Sequence, residues 1–245
     1  MRIADHCPMP GLTLDDALWR AEHFDICTCA CESYALQMRQ RRPGIQLAGY
    51  LQPTRGVSWT DYIYGAALSD LPELTDEYRA AMAAGCKRYM IQYGFDSLFV
   101  DEPFTYAGND WRRVLQLVVT IENAIAPAHC MVNFGDYGTY AASMSQNPLA
   151  CQIAGMFKQH FVQVAVDTTR FDLARWNRTR DVILNRANGG KLVVVGTYDP
   201  AGAAPWLARG LDLSIDHPNV VSHYHTATSG VGRPETQWNP HWETP

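Results

Sequence analysis

The chain has 245 residues, 47% of them hydrophobic and 18% charged, an ordinary globular composition long enough to bury a large core. Its formal net charge of −5, from 20 basic and 25 acidic side chains, gives no general attraction for phosphate backbones, so nucleic acid is not an expected partner. No apolar run approaches the roughly 18 residues that cross a bilayer, so no membrane insertion is expected.

The start, MRIADHCPMPGLTLDD, lacks the charged-then-apolar pattern of a secretion signal. Cytoplasmic synthesis is expected, or else a chain already processed; a particle protein released by lysis needs no signal either. RIADHC (2–7) reads as a first strand and LTLDDALWRAEHF (12–24) as a first helix, with Thr13 as N-cap and Asp15 and Asp16 in the first turn, where the helix dipole favours acids. FDICTCA (24–30) is a second strand, ESYALQMRQRR (32–42) a second helix closed by Pro43-Gly44, and IQLAGYL (45–51) a third strand. The helix ELTDEYRAAMAAGCKRYMIQYG, capped at Thr75, leads to strand SLFVDE (97–102). Then come helix DWRRVLQLVVTIENAIA, strand HCMVNFG (129–135), strand IAGMFKQHF (153–161) and helix RFDLARWNRTRDVILNRA. Gly189-Gly190 closes that helix ahead of strands KLVVVGTYD (191–199) and VVSHYH (220–225). The helical stretches repeat apolar residues every three or four positions, as one buried face requires.

Eight strands alternating with helices predict an α/β fold, a single (β/α)8 barrel over 1–230, with residues 231–245 as a Pro- and Trp-containing tail packed on the surface or on a neighbour. Self-association or a larger assembly would run through that tail. The interval between strands three and four is long, and its aromatic segment QPTRGVSWTDYIYGAALSDLPE predicts an enlarged loop after strand 3 that caps the barrel mouth. An open Rossmann-like sheet is the competitor, but no G-x-G-x-x-G turn follows the first strand.

Seven cysteines are present, an odd and scattered set that points to a reducing compartment rather than a disulfide framework. Cys27, Cys29 and Cys31 share one face if the strand is regular, and lack the C-x2-C spacing of a zinc site; they read as small apolar packing residues.

In such a barrel the pocket is built from strand C-termini and the loops that follow. That rule selects Asp5 and His6, Tyr50 and Gln52, Asp101 and Glu102, Asn133 and Asp136, Gln159 and His160, Tyr198 and Asp199, and His223 with His225. Loops add Trp59 and several tyrosines. Polar groups interleaved with aromatics suit sugars, which offer flat apolar faces and many hydroxyls.

The stretch G-F-D-S-L-F-V-D-E-P, followed by an aromatic loop and an amphipathic helix, resembles the fourth-strand region of glycoside-hydrolase-type TIM barrels. It is most similar to the glycosyl hydrolase group related to endo-α-1,4-polygalactosaminidases and to α-galactosidase-like barrels. There the motif often reads G-[FY]-D-G-[VL]-F-x-D, its last Asp at the pocket, and Asp101 matches that position. MVNFGDY resembles the family's Asn-containing fifth strand, with Asn133 at the match. The resemblance implies a glycosidase acting on a poly- or oligosaccharide. One departure stands out: the sixth strand of such barrels commonly ends in a carboxylate, and here Gln159 holds the place, which can neither donate a proton as an acid nor attack.

A glycosidase needs two carboxyl groups across the scissile bond and no cofactor. Asp101 is assigned to the pocket as nucleophile or base, with Glu102 the leading acid and Asp136 and Asp199 in reserve. Adjacent strand residues point to opposite sides, so Glu102 serves only if the chain turns after Asp101. Asp5, Tyr50, Trp59, Asn133, Asp136, Gln159, His160, Tyr198, His223 and His225 are expected to shape the sugar site. The plain alternative makes Asp101 and Glu102 solvated strand-end acids near helix N-termini.

Four other readings compete. Gln159 and the aromatic tail fit a non-catalytic carbohydrate-binding or structural module of a larger assembly, for example a phage tail or virion protein. His223 and His225 share a face at strand spacing and fit a metal-dependent hydrolase, although the first strand offers only D-H where such enzymes carry H-x-H. A Cys–His nucleophile, Cys29 or Cys130 with His160, rests on coexistence at one rim. Glycine-bearing PAGAAPW and TSGVG are weak echoes of a phosphate site, and no P-loop, G-x-S-x-G or H-E-x-x-H motif is found.

Overall fold

Where their side chains are described, the strands alternate two sets, and the two sets build two cores. Leu47, Leu51, Leu98, Val100, Cys130, Val132, Val193 and Val195 pack outward, in one cluster with Ala17, Met82, Val118 and Ile121 of the helices. Ile26, Ala48, Phe99, Met131, Val194 and Val221 form a second, separate cluster, on which the partly buried Tyr50 and Leu192 rest. The second cluster holds strand residues alone, as the interior of a sheet closed on itself does. The computed structural model describes residues 2–5, 12–28, 30, 32–53, 74–101, 111–133, 155–163, 173–198 and 215–225.

The sheet is a closed barrel with strands in chain order: β1 (Arg2–Asp5), β2 (Ile26–Cys27), β3 (Gln46–Leu51), β4 (Ser97–Val100), β5 (His129–Asn133), β6 (Gly155–Gln163), β7 (Leu192–Tyr198) and β8 (Val220–His225). Every neighbouring pair is parallel, β8 with β1 included. All eight strands stand where the alternating pattern predicts them. The second is much shorter than expected, because the chain leaves the ladder at Thr28 and keeps one further bond, from the Ala30 N–H to the Ala48 carbonyl at 2.9 Å. Of the three cysteines expected on one strand face, Cys27 is buried in the outer core; Cys29 and Cys31 lie outside the described residues.

Among the described residues the helices are α1 (Leu14–His23), α2 (Ala35–Arg41), α3 (Asp76–Tyr93), α4 (Trp111–Ile125) and α5 (Leu173–Asn188), with a 3-10 turn at Glu32–Tyr34 ahead of α2. Thr13 and Asp16 cap α1 reciprocally, Thr13 accepting from the Asp16 N–H and Asp16 accepting from the Thr13 N–H, so two orphan donors are satisfied. Thr75 does the same one-sidedly for α3 by accepting from the Tyr78 N–H. Gly94 ends α3 at φ 69°, a left-handed turn that a side chain would strain. None of these helices is long and apolar enough to cross a membrane.

The N-terminal end of the barrel is tied by two Phe-Asp pairs. Asp96 accepts from the Leu47 N–H at 2.8 Å and from Arg39 of α2 at 2.9 Å, locking the start of β4 to β3. Asp25 pairs with Arg42, which also donates to the Phe24 carbonyl. The first Asp of the fourth-strand motif is therefore a girder at the bottom of the barrel, far from the mouth where the last Asp sits.

One irregularity interrupts the ladder. Lys158 pairs with Val195, and the next pair is Val162 with Thr197, so β6 carries two more residues than β7 across that interval. Bulges of this kind concentrate at barrel rims and beside active sites. The expected enlarged loop and the tail fall outside the described residues.

Candidate active site

Parallel strands deliver all their C-terminal ends to one mouth. Asp101 is the first residue after β4, and its N–H still reaches the Leu51 carbonyl at 2.8 Å, so it remains in register with the ladder. Phe99 points into the barrel, and two residues on the strand period returns the Asp101 carboxylate to the same inner face. The β4–β5 register, Ser97 with His129 through Val100 with Val132, sets Asp101 beside Asn133. Tyr50 pairs with Phe99 two residues below Asp101, its ring 5.9 Å from the Phe99 ring.

These three residues meet. The Tyr50 hydroxyl donates to Asp101 Oδ2 at 2.7 Å, and the Asn133 amide Nδ2 donates to Oδ1 at 2.7 Å. Each carboxylate oxygen thus receives a donor from a different flanking strand, in the short range of charge-assisted bonds. Asn133 is 3% exposed, while Asp101 and Tyr50 are half-buried, so the carboxylate closes the top of the inner core and keeps access to the mouth.

His223, 4% exposed, lies on β8, two residues beyond inward-facing Val221. In an eight-strand ring β8 stands opposite β4, so His223 belongs to the wall facing Asp101. Asp5, Tyr198 and His225 are the last residues of β1, β7 and β8, and the register pairs Tyr198 with His225. Gln159 and His160 fall inside the irregular stretch of β6. For these five the strand position is what is described. Glu102, Trp59 and Asp136 lie outside the described residues. Among the described residues no group of three or more His, Cys, Asp and Glu side chains is placed to hold a metal ion.

Cys130 does not face the site. It is fully buried in the outer core, and burial, then the Glu122 carboxylate and Cys86, push its thiol well above the ordinary range. A thiol so placed yields little thiolate and has no path to substrate, which removes Cys130 as the nucleophile partner of His160. Thr28 was not singled out from the sequence: it is fully buried at the end of β2, two residues after inward-facing Ile26. Its mark in the sequence is a hydroxyl between two cysteines at a strand end.

A closed ring of eight parallel strands, with a helix described after β1, β2, β3, β4 and β6, is a TIM-type barrel. In solved structures the chain is similar to the glycoside hydrolase domain of PelA from Pseudomonas aeruginosa, with a TM-score of 0.58, 11% identity and 97% of each chain covered. A variant of that domain gives a TM-score of 0.61 at 10% identity, covering 97% of this chain and 98% of the other. QR15, an aldolase, shares the fold at a TM-score of 0.54 and 8% identity over 96% of this chain and 92% of its own. No protein-family profile and no curated protein sequence matches the chain. The glycoside-hydrolase-like barrel implied by the fourth-strand motif is matched over nearly the whole chain, and at these identities the likeness is one of fold.

Proposed function

We propose that this barrel takes a poly- or oligosaccharide at its C-terminal mouth and hydrolyses it, with Asp101 as the central carboxylate acting as nucleophile or base. The observation that carries the reading is the carboxylate held at the mouth by donors from two neighbouring strands. A solvated strand-end acid has no need of such a cradle. Glu102 is the proposed proton donor, Trp59 and the aromatic segment after strand 3 the stacking surface, and Asp5, Asp136, Gln159, His160, Tyr198, His223 and His225 the polar rim that meets sugar hydroxyls. Two carboxyl groups perform both the proton transfer and the attack, so the proposal calls for no cofactor.

The test is incubation with α-1,4-linked galactosamine oligosaccharides, chitooligosaccharides and α-galactosides, with products read by mass spectrometry. Hydrolysis by the native protein and its loss in Asp101→Asn is the expected result. One sequence feature favours a second reading, a sugar-binding module without turnover: Gln159 stands where related barrels carry a carboxylate. Saturable binding of one of these sugars with no new reducing ends would decide for it.

A further inference from the structure

We infer that Tyr50 and Asn133 are positioning residues for Asp101 rather than groups that bind the sugar. The inference rests on the reading of Asp101 given above and deepens it. An aspartate carboxylate turns easily about its last torsion, which is broad and roughly two-fold. Here the Tyr50 hydroxyl takes one oxygen and the Asn133 amide takes the other, both at 2.7 Å, so rotation of the carboxylate plane breaks at least one bond. Neither donor is free to follow. Asn133 is almost wholly buried at the end of β5, and the Tyr50 ring rests on Phe99 in the inner core.

The bonds also restrict what the two donors offer a ligand. A tyrosine hydroxyl has one proton, and Tyr50 spends it on Asp101. Tyr50 therefore cannot donate to a sugar hydroxyl without releasing the carboxylate. Two donors facing two oxygens present Asp101 as an acceptor, the form that attacks an anomeric carbon or takes a proton from water. Donation of a proton to the leaving group then falls to a different residue.

The experiment uses the full chain as Tyr50→Phe, Asn133→Ala and each combined with Asp101→Asn. The first readout needs no substrate: the side-chain carboxyl 13C resonance of Asp101 in aspartate-labelled protein at neutral pH, assigned by its loss in Asp101→Asn. A shift of that resonance in each single variant supports the clamp, and an unmoved resonance in both overturns it. The second readout is turnover of an α-1,4-linked galactosamine oligosaccharide. A positioning role predicts kcat lowered by about tenfold or more with KM within about twofold, the pattern of an interaction felt in the transition state. It also predicts no further loss when either substitution is added to Asp101→Asn. A raised KM at unchanged kcat would make these residues sugar contacts and overturn the inference. If the native protein turns over none of the sugars, the proposed hydrolysis fails, and the 13C readout still decides the clamp. Should Asn133→Ala misfold, Tyr50→Phe, which removes one oxygen atom, carries the test alone.

Discussion

Gly49 sits on β3 immediately before Tyr50 and faces the helices. A Cβ built there meets Phe95 Cδ2 and Tyr89 Cε1 at 2.6 Å and Phe95 Cε2 at 2.9 Å. Carbon atoms rest at about 3.5–4.0 Å, so in Gly49→Ala two rings must retreat by about 1 Å. They have little room. Tyr89 and Phe95 are buried against each other and against Tyr93, and the Tyr89 hydroxyl is held by Glu32 at 2.7 Å. Overpacking of this kind costs about 1–3 kcal/mol. Alanine restores about 0.4–1 kcal/mol by restricting the unfolded chain, since the strand conformation suits it. At the middle of both ranges the net is a loss of about 1.3 kcal/mol, or a melting temperature lower by about 3–5 °C for a domain of this size. Thermal denaturation by circular dichroism measures it, and Phe95→Leu in the Gly49→Ala background should recover part of the loss by opening space. A melting temperature equal to or above the native value would refute the argument, because it would mean that the rings yield without cost.

Removing the Asp96 side chain in Asp96→Ala leaves the Leu47 N–H without its 2.8 Å acceptor and should cost about 1 kcal/mol. Asp96→Asn keeps the acceptor and should cost less, since the ion pair it gives up with Arg39 is about a third exposed on both sides and screened. Cys130 has its thiol pKa raised in the folded state, so its contribution is complete below the ordinary thiol range near pH 8.5 and is lost as pH rises beyond it. Unfolding midpoints should therefore fall above that pH, with a shallower fall in Cys130→Ala, and Cys27, Cys86 and Cys130 should resist alkylation until the protein is denatured.

The alternation that predicted eight strands is a direct trace of burial. A barrel strand is covered on both sides, so its residues read as apolar runs of the right length, and VVV of β7 or SLF of β4 can be little else. The helix caps at Thr13 and Thr75 were equally legible, because capping is local chemistry. The shortness of β2 was not, since it depends on where the chain leaves the ladder, which a neighbouring strand decides. The site was legible as a set of strand-end residues and illegible as a set of bonds. From the sequence alone, Tyr50 and Asn133 are polar groups at a mouth, suited to sugar hydroxyls. What turns them toward Asp101 is the register of β3 against β4 and of β4 against β5. Register is fixed by long-range packing, and nothing in the spacing of positions 50, 101 and 133 encodes it.

That register also constrains the proton donor. Asp101 is turned inward with its backbone still on the ladder, so a strand continued through residue 102 would send Glu102 outward, toward the helices. Glu102 can serve as the acid only if the chain turns directly after Asp101. Chemistry separates the two carboxylates without a distance. An oligosaccharide leaves as a poor alkoxide and needs a proton in the transition state, worth typically 10²–10⁴-fold, whereas a nitrophenyl glycoside of the same sugar leaves without one. If Glu102 is the acid, Glu102→Gln should lose turnover of the oligosaccharide by about that factor and retain the rate of the first nitrophenol release from the nitrophenyl glycoside, a step that needs no acid whether Asp101 is nucleophile or base. Asp101→Asn should lose both, because attack on the anomeric carbon is needed for either. Equal rates for Glu102→Gln and the native protein on both substrates would move the acid to Asp136 or Asp199, whose substitution should then reproduce the split.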